Sequence, residues 1–415
     1  MMRVKIKTLG CKVNQYEGQA IQEQFSSLGH QITTKKADLY IINTCSVTKT
    51  ADKKSKKMIL QAKKENPRAK IAVCGCLAEL NKNYIEKIEV DYIVTQKNKQ
   101  NLINVIFGNT VPFPLSKSPW KLKIQNYPHK RAFVKIQDGC SNFCSFCKIP
   151  YLRPKPVSRQ KKDIIDEIKR LSANHHEIVL SGINLNLYGK DLNPKNSLSN
   201  LSEDILKLNC LGRLRISSLQ PSLIDNKLIS LINHPKLCPH LHLSFQYGQN
   251  SILKAMNKKE TVEIYLEKIK AIKKVYPKTA ISCDIIVGFP GETKKTFQQT
   301  VNFLKKVRPM RIHIFTFSPR EKTPLANNNS IDKDKIKERY RALDKLAKDF
   351  SLSYSKLFLN KKLEMVAEEK KDNYTTGYTQ NYIKVNTKDN IKLGSAAKVK
   401  ITKIDKNNKV FAQLI

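Results

Sequence analysis

The chain has 415 residues, which at about 150 residues per domain suggests two to four domains, and its 40% hydrophobic and 27% charged residues are typical of a globular protein. No apolar run approaches the ~18 residues of a membrane span, and the first residues, MMRVKIKT, hold no signal-peptide core. We therefore expect a cytoplasmic protein that has no membrane partner.

The charge is strongly unbalanced. Lys and Arg number 76 against 35 acidic residues, a formal charge of +41, and such a surplus attracts polyanions. The alternative explanation is a compositional bias of the genome that places Lys at solvent-exposed positions, because 63 of the 76 basic residues are Lys. The charge favours a nucleic-acid partner and leaves RNA and DNA undistinguished.

Residues 1–108 alternate predicted strands with predicted helices, a pattern that indicates an α/β domain with a parallel sheet. The predicted strands are Val4–Leu9, Leu39–Ile42, Ile71–Val73 and Tyr92–Val94, and the predicted helices are Tyr16–Leu28 and Ala51–Lys64.

Residues 109–130 contain four prolines and are predicted to be a linker. The alternation resumes over 131–357, where six strand–helix units indicate an open, partial (β/α)6 barrel followed by a C-terminal helix. The predicted strands are Ala132–Ile136, Ile178–Leu180, Leu214–Ile216, Leu241–Ser244, Ala280–Val287 and Arg311–Phe315; the predicted helices include Asp163–Leu171, Val262–Val275 and Asp334–Leu357.

The tail, residues 358–415, alternates polar and apolar residues and predicts a small antiparallel β-barrel. Residues 360–415 hold 12 Lys against 6 acidic residues, a net charge of +6. Small basic β-barrels are common platforms for RNA. The tail contains none of the cysteines discussed below, so we expect its removal to weaken RNA binding without affecting a metal site.

The strongest motif is DGCSNFCSFC (residues 138–147), in which Cys140, Cys144 and Cys147 follow a predicted strand. Three thiolates can hold a four-iron cluster that keeps one iron open, and that iron can bind S-adenosylmethionine (SAM). A zinc site with a distant fourth ligand and a set of buried core thiols are the alternatives. The spacing, with Phe146 before the third cysteine, resembles the radical SAM superfamily.

A second cysteine set is scattered along the first domain. Cys11, Cys45 and Cys76 each follow a predicted strand, and the carboxyl ends of parallel strands share one edge of a sheet. The three thiols are therefore expected to converge on a second metal site. By this argument Cys74 competes with Cys76 for the third position.

The motifs around the second set resemble the radical SAM methylthiotransferase family: TLGCKVNQYE (8–17), NTCSVT (43–48) and GCLAE (75–79). The run LHLSFQ (241–246) extends the match, and GYTQNY (377–382) resembles the TRAM RNA-binding module. The resemblance covers nearly the whole chain in the family's domain order. It assigns the third ligand of the second set to Cys76.

The resemblance implies two [4Fe–4S] clusters, held by Cys11, Cys45 and Cys76 and by Cys140, Cys144 and Cys147. It further implies SAM as the cofactor, bound near five residues at strand ends and on the cluster loop. These five are Phe146, Ser181, Gly182, Gln246 and Gly288.

The implied enzyme is a transferase of sulfur-containing groups that methylthiolates carbon 2 of the adenosine at tRNA position 37. The implied partners are the tRNA anticodon stem-loop, an electron donor such as flavodoxin or ferredoxin, and a sulfur source. The motif around Cys11 resembles the subgroup that acts on N6-threonylcarbamoyladenosine. Lys12 and Arg153 are candidate cations for the carboxylate of that base.

Two alternatives remain open: methylthiolation of N6-isopentenyladenosine, and a non-catalytic RNA-binding protein with structural metal. The chain also departs from the family at Arg153-Pro154, at 246–249 and at 256–261, and we interpret it as a divergent but active enzyme. Of the histidines, His175 and His176 are predicted to lie in a solvated loop. His240 and His242 are predicted to pack on one strand face rather than to bind metal.

Overall fold

The structure is a computed structural model that describes residues 1–108, 111–328 and 331–415, so residues 109 and 110 of the predicted linker lie outside it. Two compact units are present. The first contains residues up to 126, together with 138–143 and 147–159; the second contains 127–137, 144–146 and 160–415. The cluster loop predicted at 138–147 is thus divided between them.

The strands, in chain order, are β1 (Arg3–Thr8), β2 (Gln31–Ile32), β3 (Leu39–Thr44), β4 (Lys70–Gly75), β5 (Tyr92–Val94), β6 (Arg131–Lys135), β7 (Gln137–Asp138), β8 (Val157–Ser158), β9 (Glu177–Ser181), β10 (Arg213–Ile216), β11 (Ser218–Leu219), β12 (His240–Gln246), β13 (Ala280–Val287), β14 (Arg311–Thr316), β15 (Lys362–Lys371), β16 (Tyr374–Thr379), β17 (Lys384–Thr387), β18 (Ala396–Ile404) and β19 (Val410–Leu414).

The α-helices are α1 (Lys12–Ser27), α2 (Lys49–Glu65), α3 (Cys76–Leu80), α4 (Lys82–Glu86), α5 (Leu102–Phe107), α6 (Ile149–Leu152), α7 (Lys161–Ser172), α8 (Leu198–Leu206), α9 (Asn226–Leu231), α10 (Asn250–Ala255), α11 (Val262–Val275), α12 (Lys294–Val307) and α13 (Lys333–Lys356). Among the described residues, no helix combines the length and the apolar character that a membrane crossing requires.

The first unit is built on a five-stranded parallel sheet in the order β2-β1-β3-β4-β5. The central strand β3 is buried along its whole length, which its apolar run predicts for a strand covered on both faces. The predicted parallel α/β domain is therefore confirmed. Helix α1 begins four residues earlier than predicted, because its first turn carries few apolar residues and its N-cap is Cys11.

The second unit contains the predicted partial barrel. Parallel strands run in the orders β6-β9-β10 and β11-β12-β13-β14, and β11 continues the path of β10 after one residue. The six predicted strands are all present. Phe245 of β12 packs its ring on Tyr265 and Phe303, at centroid distances of 4.9 and 5.1 Å, so this face of the sheet meets helices α11 and α12. Side chains alternate between the two faces of a strand. His240 and His242 therefore lie on the face opposite to that of Phe245, which is the inner face of the sheet.

The C-terminal strands form a closed barrel in the order β15-β16-β17-β19-β18. Its pairings are antiparallel, as predicted, except that β17 and β19 are parallel. The core of this barrel also includes Ala280 and Met310, which belong to the radical SAM-like part of the same unit. The tail is therefore packed against that part and is not a loose appendage.

The prediction for His175 is wrong. Its ring is buried, and the two ring nitrogens lie 3.0 Å from the carbonyl of Leu171 and 2.9 Å from the carbonyl of Tyr127. The helix–strand junction that suggested a solvated loop is covered by the end of the proline-rich segment. His176 is half-buried, and its Nε2 lies 3.0 Å from the carboxylate of Glu364.

Candidate metal centres

The second cysteine set meets at one edge of the first sheet. Cys11 follows β1, Cys45 follows β3 and Cys76 begins α3 directly after β4, and these three strands are neighbours. Cys11 is exposed, whereas Cys45 and Cys76 are 7% and 6% exposed. The site is thus open to solvent on the side of Cys11.

Two glycines allow the cysteine loops to approach one another. Gly10 has φ +109°, and a Cβ there would lie 2.9 Å from Cys45 Sγ. Gly75 has φ +94°, and a Cβ there would lie 2.5 Å from the carbonyl oxygen of Thr44. Larger residues at either position would combine backbone strain with a clash, so the sequence Gly-Cys is a geometric requirement of this edge.

Polar residues of the same motifs fix the loops. The Asn14 amide donates to the carbonyls of Leu9 and Thr44, and the Asn43 amide donates to the carbonyl of Asn14 at 3.0 Å. The Thr44 hydroxyl donates to the carbonyl of Cys74 at 2.6 Å and accepts from the amide of Leu77 at 3.1 Å. These bonds tie the segments after β1, β3 and β4 together.

Cys74 and Cys76 have different surroundings. The thiols of Cys11 and Cys45 both act electrostatically on Cys76, and Cys76 acts on Cys74. The Cys74 thiol lies 3.8 Å from Asn43 Oδ1 within the core, and burial raises its pKa to about 12. Burial raises the pKa of Cys76 to about 11, against the opposing effect of Arg153 and Lys99. This geometry favours Cys76 as the partner of the other two thiols.

A buried network of charges, which the sequence did not predict, lies beside Cys76. Glu17 on α1 accepts hydrogen bonds from Lys99 Nζ at 2.6 Å and from the Arg153 guanidinium at 2.8 and 2.9 Å. Arg153 also donates to Asp138 at 2.6 Å. The side chains of Lys99, Glu17 and Arg153 are at most 5% exposed. Burial lowers the pKa of Arg153, but Asp138 and Glu17 outweigh it and raise this pKa well above its ordinary value.

The Arg153 guanidinium is therefore paired with the carboxylates of Glu17 and Asp138. These two groups neutralise the positive charge for which Arg153 was a candidate to bind the carboxylate of the substrate. A cavity of about 290 Å³ opens beside the network. Its lining includes Glu17, Lys99, Asp138, Gly139 and Arg153. The whole lining has five basic residues against two acidic ones, so the cavity carries a net positive charge; the basic residues are Lys97, Lys99, Lys117, Arg153 and Lys155.

The cysteine triad lies on the loop between β7 and α6, and Cys140, Cys144 and Cys147 are each half-buried. Within the first unit, the Cys140 amide donates to the carbonyl of Arg153 at 3.0 Å. Gly139 has φ +77°, and a Cβ there would lie 2.1 Å from the carbonyl oxygen of Lys155. The network that lies beside Cys76 thus also supports the start of the triad loop.

The predicted SAM-binding residues lie at strand ends. Ser181 ends β9 and donates to the carbonyl of Val134 at 3.2 Å, with Gly182 after it. Gln246 ends β12 with φ +67°, at an irregularity in the strand register. Gly288 follows β13 with φ +79°, and its amide donates to Glu292 at 2.6 Å. Phe146 is half-buried on the triad loop.

The first residues of several barrel strands meet the C-terminal barrel. Glu177 is fully buried and accepts from the guanidinium groups of Arg213 and Arg215 at 2.7 and 2.6 Å. Burial alone would raise the pKa of Glu177, but the charges of these arginines lower it below its usual range. Arg213 and Arg215 also donate to the carbonyls of Tyr378 and Thr379, at 2.8 and 3.1 Å.

The aromatic residues of the TRAM-like motif also take part in this contact. The ring of Tyr382 stacks on His240 at 4.3 Å and on Tyr378 at 4.8 Å. The guanidinium groups of Arg131 and Arg311 lie 4.9 and 5.0 Å from the centroids of Tyr378 and Tyr382. These two tyrosines are therefore part of an internal contact and are not an open stacking surface for RNA.

Comparison with known families now separates the alternatives left by the cysteine motifs. The profile described as "Uncharacterized protein family UPF0004" matches residues 3–95, and that of the "Radical SAM superfamily" matches residues 134–304. The threonylcarbamoyladenosine tRNA methylthiotransferase MtaB of Bacillus subtilis is 36% identical, over 97% of this chain and 94% of the relative. The protein of the same name from Thermotoga maritima is 34% identical, over 92% and 91%.

The chain belongs to the radical SAM methylthiotransferase family. Its relatives also include a tRNA-2-methylthio-N(6)-dimethylallyladenosine synthase of Carboxydothermus hydrogenoformans, which is 36% identical over 85% of this chain and 84% of the relative. The radical SAM methyltransferase TsrM from Kitasatospora setae shares the fold, with a TM-score of 0.58 at 14% identity, over 78% of this chain and 77% of that one. The predicted family and the predicted fold class are confirmed.

Proposed function

We propose that this methylthiotransferase converts N6-threonylcarbamoyladenosine at tRNA position 37 to its 2-methylthio derivative. Four relatives named MtaB, 32–36% identical over most of the chain, support this substrate. The proposal includes a tRNA anticodon stem-loop as the partner, a flavodoxin- or ferredoxin-like electron donor and a separate sulfur source. The proposed compartment is the cytoplasm.

The observation that carries the methylthiotransferase chemistry of this proposal is the presence of two separate cysteine sets of three. Three thiolates leave one iron of a four-iron cluster without a protein ligand, so each set suits a cluster that binds a further molecule rather than a closed structural one. We assign Cys11, Cys45 and Cys76 to the cluster that carries the transferred sulfur. Cys140, Cys144 and Cys147 are assigned to the cluster that binds SAM.

When bound, the two clusters supply one-electron cleavage of SAM and the sulfur that is methylated and transferred. The protein's part is to position them. Asn14, Asn43 and Thr44 fix the loops of the first set, while Glu17 and Arg153 connect α1 with the start of the triad loop. Burial raises the pKa of the Cys76 thiol, and Lys99 and Arg153 beside it oppose that rise. Phe146, Ser181, Gly182, Gln246 and Gly288 are proposed to contact SAM.

The substrate assignment predicts a sharp preference between two tRNA classes. The threonylcarbamoyl group carries a carboxylate and a hydroxyl, whereas isopentenyl is hydrocarbon, and a site built for polar partners rejects an apolar analogue strongly. Reconstituted enzyme with SAM, a reductant and sulfide is expected to methylthiolate tRNA that carries threonylcarbamoyladenosine. Mass spectrometry of the digested nucleosides measures the product.

The matched substrate is the same anticodon stem-loop carrying isopentenyladenosine, assayed with the same enzyme preparation. We expect at least a hundred-fold lower yield on it. A preference for the isopentenyl substrate would overturn the substrate assignment but not the family or the two-cluster chemistry. An enzyme that cleaves SAM and modifies neither tRNA would contradict the proposed function.

Binding of tRNA is expected to use exposed lysines rather than Tyr378 and Tyr382 of the tail, whose rings contact the barrel. Helix α2 presents Lys53 and Lys57 to solvent. The double substitution Lys53→Glu and Lys57→Glu is expected to weaken tRNA binding at least ten-fold. It should also reduce the slope of log K against log salt by about 0.7–0.9 for each phosphate that the variant no longer neutralises. Affinities measured at several salt concentrations give both quantities.

The control is Lys270→Glu with Lys274→Glu, an exposed pair at the same spacing on α11. Both variants change the net charge equally, so a difference between them reports a local contact and not the overall field. Equally weakened binding in the two variants would mean that α2 is not part of the tRNA-binding surface. Deletion of residues 360–415 is a less specific test, because it would also uncover Glu177 and its arginines.

A further inference from the structure

Three potential metal ligands that belong to neither cysteine set lie on adjacent strands of the barrel. His242 is on β12, Asp284 on β13 and His313 on β14. In the parallel register His242 pairs with Ser282, and Asp284 pairs with His313. We propose that His242, Asp284 and His313 form a binding site for one divalent transition-metal ion. The proposal does not depend on the identity of the tRNA substrate.

The ligand atoms are close enough to share an ion. His242 Nε2 lies 3.0 Å from Asp284 Oδ2, and His313 Nδ1 lies 3.8 Å from Asp284 Oδ1. The three ligand atoms all lie within 4.8 Å of one another. Metal–ligand bonds of about 2.0–2.2 Å in a tetrahedral site place neighbouring ligands about 3.4 Å apart. Small side-chain rotations therefore bring the three atoms onto one ion without a change in the backbone.

A second layer of hydrogen bonds orients His242. Its Nδ1 lies 2.9 Å from Ser282 Oγ, and the same oxygen lies 2.9 Å from His240 Nε2. A hydroxyl oxygen can accept two hydrogen bonds, so Ser282 can support the tautomer of His242 in which Nδ1 carries the proton. That tautomer directs the lone pair of Nε2 toward Asp284. Histidine ligands in metal sites are held in this manner by a partner of their second nitrogen.

Charge and access also suit a cation. The side chains of His242 and Asp284 are 14% and 19% exposed, and that of His313 is 43% exposed, so an ion can enter past His313. The neighbouring cation Arg215 is paired with Glu177, and Arg311 lies over the ring of Tyr382. Asp284 therefore contributes a negative charge that these two arginines do not cancel by direct pairing.

The ligand set selects the class of ion. Two imidazoles and one carboxylate suit Zn²⁺, Fe²⁺ or Co²⁺, whereas Mg²⁺ and Ca²⁺ prefer oxygen ligands. Three protein ligands leave at least one coordination position for water or for an anionic group of a bound molecule. A simple His242–Asp284 ion pair would not require His313, whose Nδ1 faces the second carboxylate oxygen.

The test uses the full-length protein, purified anaerobically with its clusters in place, so that the cluster cysteines are occupied. Co²⁺ is added, free ion is removed by gel filtration, and iron and cobalt are measured per chain. We expect about one Co²⁺ in addition to unchanged iron, with the low-temperature electron paramagnetic resonance signal of nitrogen- and oxygen-bound Co²⁺. Oxidised four-iron clusters are silent in that experiment.

The variants His313→Gln and Asp284→Asn are each expected to weaken Co²⁺ binding at least ten-fold. His129→Gln, which removes an exposed histidine elsewhere, is expected to leave it unchanged. His313 is half-exposed at the end of its sheet, so its substitution is not expected to impair folding, and equal iron content and melting temperature check this. The proposal is overturned if the unsubstituted protein binds no Co²⁺ in addition to its iron. It is also overturned if the His313→Gln variant binds Co²⁺ as tightly as the unsubstituted protein does.

Discussion

Simultaneous replacement of Cys140, Cys144 and Cys147 by alanine is expected to halve the iron content and to abolish cleavage of SAM. Two four-iron clusters correspond to about eight irons per chain, and the variant should retain about four. The remaining iron should belong to the site at Cys11, Cys45 and Cys76, because that site lies at the edge of its own parallel sheet. Iron analysis and detection of 5′-deoxyadenosine under reducing conditions measure the two effects.

The reciprocal experiment tests whether Cys74 or Cys76 is the third ligand of the second cysteine set. Cys76→Ala is expected to lose the second cluster while SAM cleavage continues, and Cys74→Ala is expected to retain about eight irons. Cys210→Ala removes an exposed thiol and is the control for nonspecific loss of iron. Loss of the second cluster in Cys74→Ala with its retention in Cys76→Ala would show that the ligand assignment is wrong.

Glu17→Gln is expected to be among the most destabilising single substitutions in the chain. It leaves Lys99 and Arg153 buried, with Lys99 deprived of its carboxylate and Arg153 left with Asp138 alone. Removing one partner of a buried ion pair costs about 3–5 kcal/mol, which corresponds to a fall in melting temperature of about 10 °C. Thermal unfolding of the purified protein measures it.

The same variant is expected to disturb the cluster held by Cys11, because Glu17 lies on the helix that begins directly after this cysteine. Glu65→Gln is the matched control. Glu65 pairs with Lys5 and Lys7, but its side chain is 30% exposed, so its loss should cost no more than about 1 kcal/mol. Equal stabilities of the two variants would contradict the importance of burial in the Glu17 network.

The position of the six cysteines of the two sets could be predicted because it depends on local pattern and one general rule. Short apolar runs identified β1, β3 and β4, and the shared carboxyl edge of parallel strands brought Cys11, Cys45 and Cys76 together. The six barrel strands followed from the same alternation. Helix α11 begins and ends at the predicted residues, since Thr261 caps it and a proline follows soon after its last turn.

The buried polar contacts could not be predicted, because they join residues that are far apart in the chain. Glu17, Lys99 and Arg153 each resemble an ordinary surface charge, and nothing in their spacing indicates that they meet. For the same reason, His242 was predicted to pack on a strand face, since the sequence does not show Asp284 and His313 beside it. Tyr378 and Tyr382 belonged to a motif associated with RNA, yet their rings lie against arginines of the barrel strands.

The contact of Tyr378 and Tyr382 with the barrel has a consequence for the order of events during synthesis. The ribosome makes the chain from its N-terminus, and domains fold as they emerge. The strands that begin with Arg131, Glu177 and Arg213 are therefore complete long before the tyrosines that cover them have been translated. Until the last strands of the tail emerge, this end of the barrel leaves Glu177 and the arginines that pair with it uncovered. A prematurely terminated chain would keep that end open and should become a substrate for chaperones and proteases.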